Sequence, residues 1–174
     1  MVAPEGYNEI VILQTERLIL RRFKPADLTG LIDMFADSQV MKYIGPRRAM
    51  TQSEIQAWLS DKLHRQAHEL TRYAVALKTT DELIGVAGVQ VEAGIKDFGY
   101  YFRRSYWGQG YAREACAALL NYLEINLKIR DYEIFIADGN ASSIRVMAKL
   151  GMQATKRVTR SGEQGHLYER IHPD

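Results

Sequence analysis

The sequence predicts a mixed α/β fold built as a single domain over residues 1–174. Three observations carry that prediction. The 174-residue chain is 47% hydrophobic and 25% charged, which is the length and balance of one globular core. Strand-like apolar runs crowd residues 71–102. From Ala112 onward, helical and strand-like periodicities alternate.

Residues 11–23 alternate apolar and polar around Leu18, Leu20 and Phe23, as a half-buried strand does. Pro25-Ala26-Asp27 opens a helix to about Ala36, because proline suits a helix start and Leu28, Leu31, Ile32 and Phe35 fall at helical spacing. A short turn or helix reaches Tyr43. Thr51 and Glu54 form a capping box, in which each side chain satisfies a backbone donor at the helix start, and they begin a helix over 52–68. The runs 73–77, 83–91 and 97–102, separated by polar turns, read as an antiparallel meander. Ala115, Cys116, Leu119 and Leu123 then share one helix face, with Arg113, Asn121 and Glu124 on another. A buried strand over 132–137 follows, then a helix over 142–150 closed by Gly151 at its C-cap, and a tail of one or two strands.

Lys and Arg total 23 against 21 Asp and Glu, a field too weak for a nucleic-acid partner. Cys116 has no second thiol to pair with and no histidine cluster at metal-ligand spacing nearby. No disulfide and no metal are therefore expected, and a reducing cytoplasmic home is. Residues 1–8 show neither a basic stretch before an apolar core nor a cleavage site, so the start reads as unprocessed. No apolar run approaches the roughly 18–20 residues of a membrane span, so no membrane partner is expected. Either a monomer or a homodimer is compatible with this pattern.

The informative segment is Tyr106-Trp107-Gly108-Gln109-Gly110-Tyr111-Ala112, lying between a strand and a helix. Glycines at 108 and 110 leave backbone N–H groups uncovered, and the helix start adds unpaired donors and the positive end of a dipole. Such a turn cradles a pyrophosphate, although Gly-x-Gly by itself is as often a plain loop. A dinucleotide site of the Rossmann kind would need a third glycine, an early position and an acidic residue about 20 residues on, all missing here. A P-loop would need Gly-Lys-Ser/Thr, where this chain has Gly110-Tyr111-Ala112.

The run from Trp107 to Ala115 resembles the acetyl-coenzyme A signature of the GNAT superfamily of N-acetyltransferases, and especially its RimJ/RimL-like branch of ribosomal-protein N-acetyltransferases. Thr15-Glu16-Arg17-Leu18, Pro25-Ala26-Asp27, Glu82-Leu83-Ile84-Gly85, Phe98-Gly99-Tyr100-Tyr101, Asn140-Ala141-Ser142-Ser143 and Lys149-Leu150-Gly151-Met152 agree with it in order, over roughly residues 11–172. The resemblance implies a mixed, mostly antiparallel sheet of about six or seven strands with about four helices. Its fourth and fifth strands, here 97–102 and 132–138, would splay apart to admit the pantetheine arm. It also implies acetyl-coenzyme A as cosubstrate. Tyr100, Tyr101 and Phe102 would offer main-chain groups to the pantetheine, while Gly108, Gln109, Gly110, Tyr111, Ala112 and Arg113 would hold the pyrophosphate. Asn140 would bond the pantetheine by its amide, a role compatible with capping the following helix. Trp107 departs from the Gln or Arg common at that position, a departure familiar in the RimJ/RimL-like branch. The tyrosine that protonates the leaving thiolate in many relatives falls at Met147, which has no proton to give. The branch's serine, matching Ser143, is the expected replacement.

Acetyl transfer to a primary amine needs a carboxylate to take the amine's proton. Glu92, Asp97, Asp138 and Glu163 are candidates, and Glu92 and Glu163 lead: the first ends the third strand, and the second sits close to a glutamate position of the RimL-like enzymes. A backbone N–H near Tyr101 would steady the carbonyl oxygen. Nothing calls for an acyl-enzyme, and the helical spacing of Cys116 makes it core. The acceptor would be bounded by residues 41–46 and 157–168. The basic Lys42, Arg47, Arg48, Lys156, Arg157 and Arg160 hint there at an acidic acceptor and count against a polyamine. A protein N-terminus leads. A small-molecule amine acetyltransferase (for an amino acid, antibiotic or polyamine) and a non-catalytic acyl-coenzyme A-binding module are the rivals.

Overall fold

The computed structural model describes residues 11–65 and 70–171. The stretch expected as one strand over 11–23 folds as two, β1 (Val11–Gln14) and β2 (Leu18–Arg21), paired antiparallel across a tight turn. Thr15 makes that turn, its N–H donating to the Leu18 carbonyl at 2.9 Å, inside the polar run over 14–17 that parts the two apolar stretches. Pro25–Asp27 forms a 3-10 turn ahead of α1 (Leu28–Phe35). Asp27 is buried against Arg21, whose guanidinium donates to both carboxylate oxygens at 2.8 and 2.9 Å. Asp27 also accepts from the Lys24 N–H, so one side chain fixes the chain's entry into the helix. The capping box forms as expected, with the Thr51 N–H donating to Glu54 at 2.8 Å, and starts α2 (Gln52–His64). The expected continuation over 66–68 lies outside the described residues.

The meander is β3 (Arg72–Leu77), β4 (Leu83–Glu92) and β5 (Ile95–Phe102). Then come α3 (Tyr111–Asn121), β6 (Tyr132–Ala137), α4 (Ala141–Lys149) and a closing hairpin of β7 (Met152–Arg160) and β8 (Glu163–Arg170). Gly151 stands at φ 74° just past α4, the left-handed stop its sequence position promises. The strands make one eight-stranded sheet in the order β1-β2-β3-β4-β5-β6-β8-β7, antiparallel everywhere except between β5 and β6. The hairpins at the two ends raise the strand number above the six or seven expected.

Each face of the sheet carries a core. On one, α3 and α4 bury Cys116, Leu119, Leu120 and Met147 against Leu20, Val75, Ile84, Phe98 and Phe102. On the other, α1 and α2 bury Leu31, Phe35, Ile55 and Leu59 against Ala74 and Val86. Fully burying a side chain such as Leu119 stabilises by about 1.5–3 kcal/mol, so each helix is held mainly by its apolar face. The pleat of β5 divides its aromatic residues between these cores: Tyr100 joins the α3/α4 side and Tyr101 the α1/α2 side.

Candidate active site

Strands β5 and β6 pair only at Lys96 with Tyr132 and Asp97 with Glu133. Beyond that point β5 stays with β4 as far as Phe102 opposite Gly85, while β6 turns to β8. The two strands therefore part, and the gap widens into a cleft of about 1490 Å³ that Tyr100, Tyr101 and Phe102 line. Main-chain groups on the open side of β5 lose their ladder partner there, and a backbone donor or acceptor shielded from water needs another.

The glycine turn closes one end of the cleft. Gly108 and Gly110 stand at φ 73° and 83°, the left-handed region that favours glycine, and a Cβ at Gly108 would meet nothing within 4 Å. Gly110 caps α3 with no side chain to satisfy the helix's first amides, so those of residues 111–113, which line the cleft, have no hydrogen-bond acceptor among the described residues. The loop is braced from behind: Trp107 Nε1 donates to the Phe102 carbonyl at 2.8 Å, and Gln109 Nε2 to that of Ser105 at 3.0 Å. Gln109 thus spends its side-chain donor on the loop, leaving main chain for a ligand. Arg113 lines the cleft with no partner among the described residues.

A second brace ties the start of α3 to the turn between β1 and β2. Glu114, in the first turn of α3, accepts from Thr15 Oγ1 at 2.6 Å, from the Arg17 N–H at 2.9 Å and from Arg17 Nε at 2.7 Å. Arg17 also donates to the Gln109 carbonyl at 3.0 Å and lies 4.3 Å from the Tyr111 ring centre. Burial pushes the Glu114 carboxyl up, but the hydrogen bonds from Thr15 and Arg17 outweigh it and leave its pKa below the usual range. The signal was there in Thr15-Glu16-Arg17-Leu18, which matched in the family pattern without a stated task.

On the far wall, Asn140 caps α4: its Oδ1 accepts from the Ser143 N–H at 3.3 Å and from Ser142 Oγ at 3.2 Å. Its Nδ2 has no partner among the described residues and lines the cleft beside Ser143. Met147 lies in the core with no exposure, and so does Cys116, whose thiol burial pushes far above the ordinary range. Neither reaches the cleft lining.

The four carboxylates separate by partner. Glu92 lines the cleft, exposed and without an ion partner among the described residues. Asp97 lines it too, bridged to Arg72 at 2.8 Å and Arg160 at 3.3 Å. Glu163 pairs with Arg47 at 3.0 Å, and Asp138 with Arg157 at 3.1 Å, both outside the lining. Arg48 likewise pairs with Glu54 at 2.6 Å. The basic rim read as a hint of an acidic acceptor is thus largely neutralised within the molecule. Sequence reasoning missed Arg72, a buried arginine that lines the cleft and lies over the Tyr101 ring, because a lone arginine at a strand start carries no pattern.

Residues 17–153 match the family model described as the acetyltransferase (GNAT) domain. An uncharacterized N-acetyltransferase, p20, of Bacillus licheniformis is 31% identical over 146 residues, covering 81% of this chain and 82% of that one. Among solved structures, a GNAT-family acetyltransferase from Bacillus anthracis superposes with a TM-score of 0.76 at 26% identity, covering 89% of this chain and 93% of that one. The same fold recurs in a ribosomal-protein-S5-alanine acetyltransferase from Vibrio fischeri, with a TM-score of 0.73 at 18% identity, covering 93% of this chain and 97% of the other. It recurs also in AAC(6')-Ib bound to ribostamycin and coenzyme A, with a TM-score of 0.69 at 20% identity, covering 88% and 92%. With the parted strands and the glycine turn accounted for, the chain belongs to the GNAT family and is an acetyl-coenzyme A-dependent N-acetyltransferase.

Proposed function

We propose that this enzyme acetylates the amino terminus of a peptide or protein by direct attack within a ternary complex. The observation that supports it is the parting of β5 from β6 beside a turn whose amides have no acceptor among the described residues. The cleft, at about 1490 Å³, exceeds the roughly 300–1,000 Å³ of a single-ligand pocket, which suits two substrates meeting. In this reading the main chain of Tyr100, Tyr101 and Phe102 takes the pantetheine amides in place of the lost β6 ladder. Asn140 adds its Nδ2, and Gly108, Gln109, Gly110, Tyr111, Ala112 and Arg113 hold the pyrophosphate.

Glu92 is the base of choice, because its carboxylate faces the cleft unpaired, while Arg47 already neutralises Glu163. It takes one proton of the incoming ammonium; the neutral amine attacks the thioester carbonyl, the C–S bond breaks as Ser143 gives its proton to sulfur, and the proton that the nitrogen then sheds restores Ser143. With the basic rim neutralised, charge exerts little pull on an acidic acceptor. The choice of a peptide N-terminus rests on the resemblance to the ribosomal-protein branch and on an open cleft. The protein works in the cytoplasm, as a single domain, monomeric or homodimeric.

Thiol release from acetyl-coenzyme A, followed with a panel of N-terminal peptides beside free amino acids, polyamines and aminoglycosides, tests this reading. Turnover with peptides is the expected result. Turnover with free small amines alone would replace the acceptor, and tight cofactor binding without release for any amine would favour the non-catalytic module.

A further inference from the structure

Main-chain binding of pantetheine leaves the side chain of Tyr100 without a task. Its ring packs on the α3/α4 side of the sheet, and its hydroxyl is buried with no hydrogen-bond partner. An orphaned buried hydroxyl is uncommon and calls for a reason. Its polar neighbours are the Cys116 thiol, a weak acceptor, and the Ser143 hydroxyl. Tyr100 and Ser143 both line the cleft. The Ser143 backbone is pinned by Asn140, while its Oγ is a rotor that meets no other described partner.

We propose that Tyr100 is a positioning residue for the transfer: unpaired in the free enzyme, its Oη–H closes onto Ser143 Oγ when the thioester fills the cleft and so turns the serine proton toward the departing sulfur. The inference rests on the acetyl-transfer reading above. In the step, the amine nitrogen bonds to the thioester carbon and the C–S bond breaks with its electron pair on sulfur. Sulfur takes the Ser143 proton, and Ser143 recovers one from cleft water that received it from the amine. Tyr100 keeps its own proton throughout. Burial favours that role, since it pushes the phenol well above its ordinary range and leaves it a donor that does not ionise. Met147, where the resemblance would put an acid tyrosine, is buried and offers no proton.

The test compares Tyr100→Phe, Ser143→Ala and the double variant by steady-state thiol release and thermal unfolding. Tyr100→Phe removes only an unpaired hydroxyl, so its melting temperature should equal or exceed that of the wild type. Its kcat should fall about tenfold or more, with KM for acetyl-coenzyme A within about twofold, as expected when a group acts only in the transition state. The double variant should lose no more than the worse single one, because the two hydroxyls act as a unit. A wild-type kcat in Tyr100→Phe, or losses that multiply in the double variant, would overturn the proposal. So would a rise in KM with a fall in melting temperature, which marks a packing role. A wild-type protein that releases no thiol would overturn the acetyl-transfer reading itself and this inference with it.

Discussion

Cys116 shows what a single side chain excludes. It is fully buried and its thiol is held far from ionisation, so it offers no thiolate to accept an acetyl group at neutral pH. Cys116→Ala should keep kcat within about twofold while costing about 1 kcal/mol of stability from the small cavity. Thiol release and thermal unfolding check both, and a large loss of activity in a folded variant would contradict direct transfer. Spacing on a helix made this residue core from the sequence alone. Ion partners were not legible in the same way. Arg47 and Glu163 meet at 3.0 Å although they lie far apart in the chain, and no local pattern announces a pair that only the sheet brings together.

At the scale of elements, the β1–β2 hairpin and the start of α3 are one unit through Glu114. Its pKa is depressed in the folded state, so its contribution is fully present above the unfolded value of about 4.3 and is lost as pH falls through the lower folded value. Glu114→Gln should therefore lower the melting temperature near neutral pH by about 2–4 °C, for a loss of about 1 kcal/mol. The half-exposed Arg17 keeps that loss small. The gap between variant and wild type should close as the pH is lowered below about 4. Melting curves across pH read this directly, and a gap that persists in acid would mean that the carboxylate's charge is not what holds the hairpin. Helix starts were legible where the chemistry is local, as at Thr51 and Glu54. The hairpin was not, because the polar run over 14–17 that separates β1 from β2 holds no glycine or proline to mark the turn at Thr15.

Across the whole molecule, a sheet antiparallel almost throughout changes direction at one place and there opens. The order of elements and the glycine turn between β5 and α3 were readable as sequence, since both follow from periodicity and from what glycine permits. The gap's floor was not, because Arg72, Asp97, Arg160 and Glu133 meet from four strands. Cosubstrate binding is expected to depend on the free amides of the turn gripping the diphosphate of acetyl-coenzyme A. Calorimetric titration of that cosubstrate into the wild type and Gly110→Glu, both checked as folded by circular dichroism, tests it most directly. Binding of one molecule per chain is predicted, with a dissociation constant between about 1 μM and 1 mM. The variant should bind at least about tenfold more weakly, because a side chain is strained at that left-handed position and a carboxylate repels phosphate. No heat with the wild type, or equal affinity in the two proteins, would contradict the account.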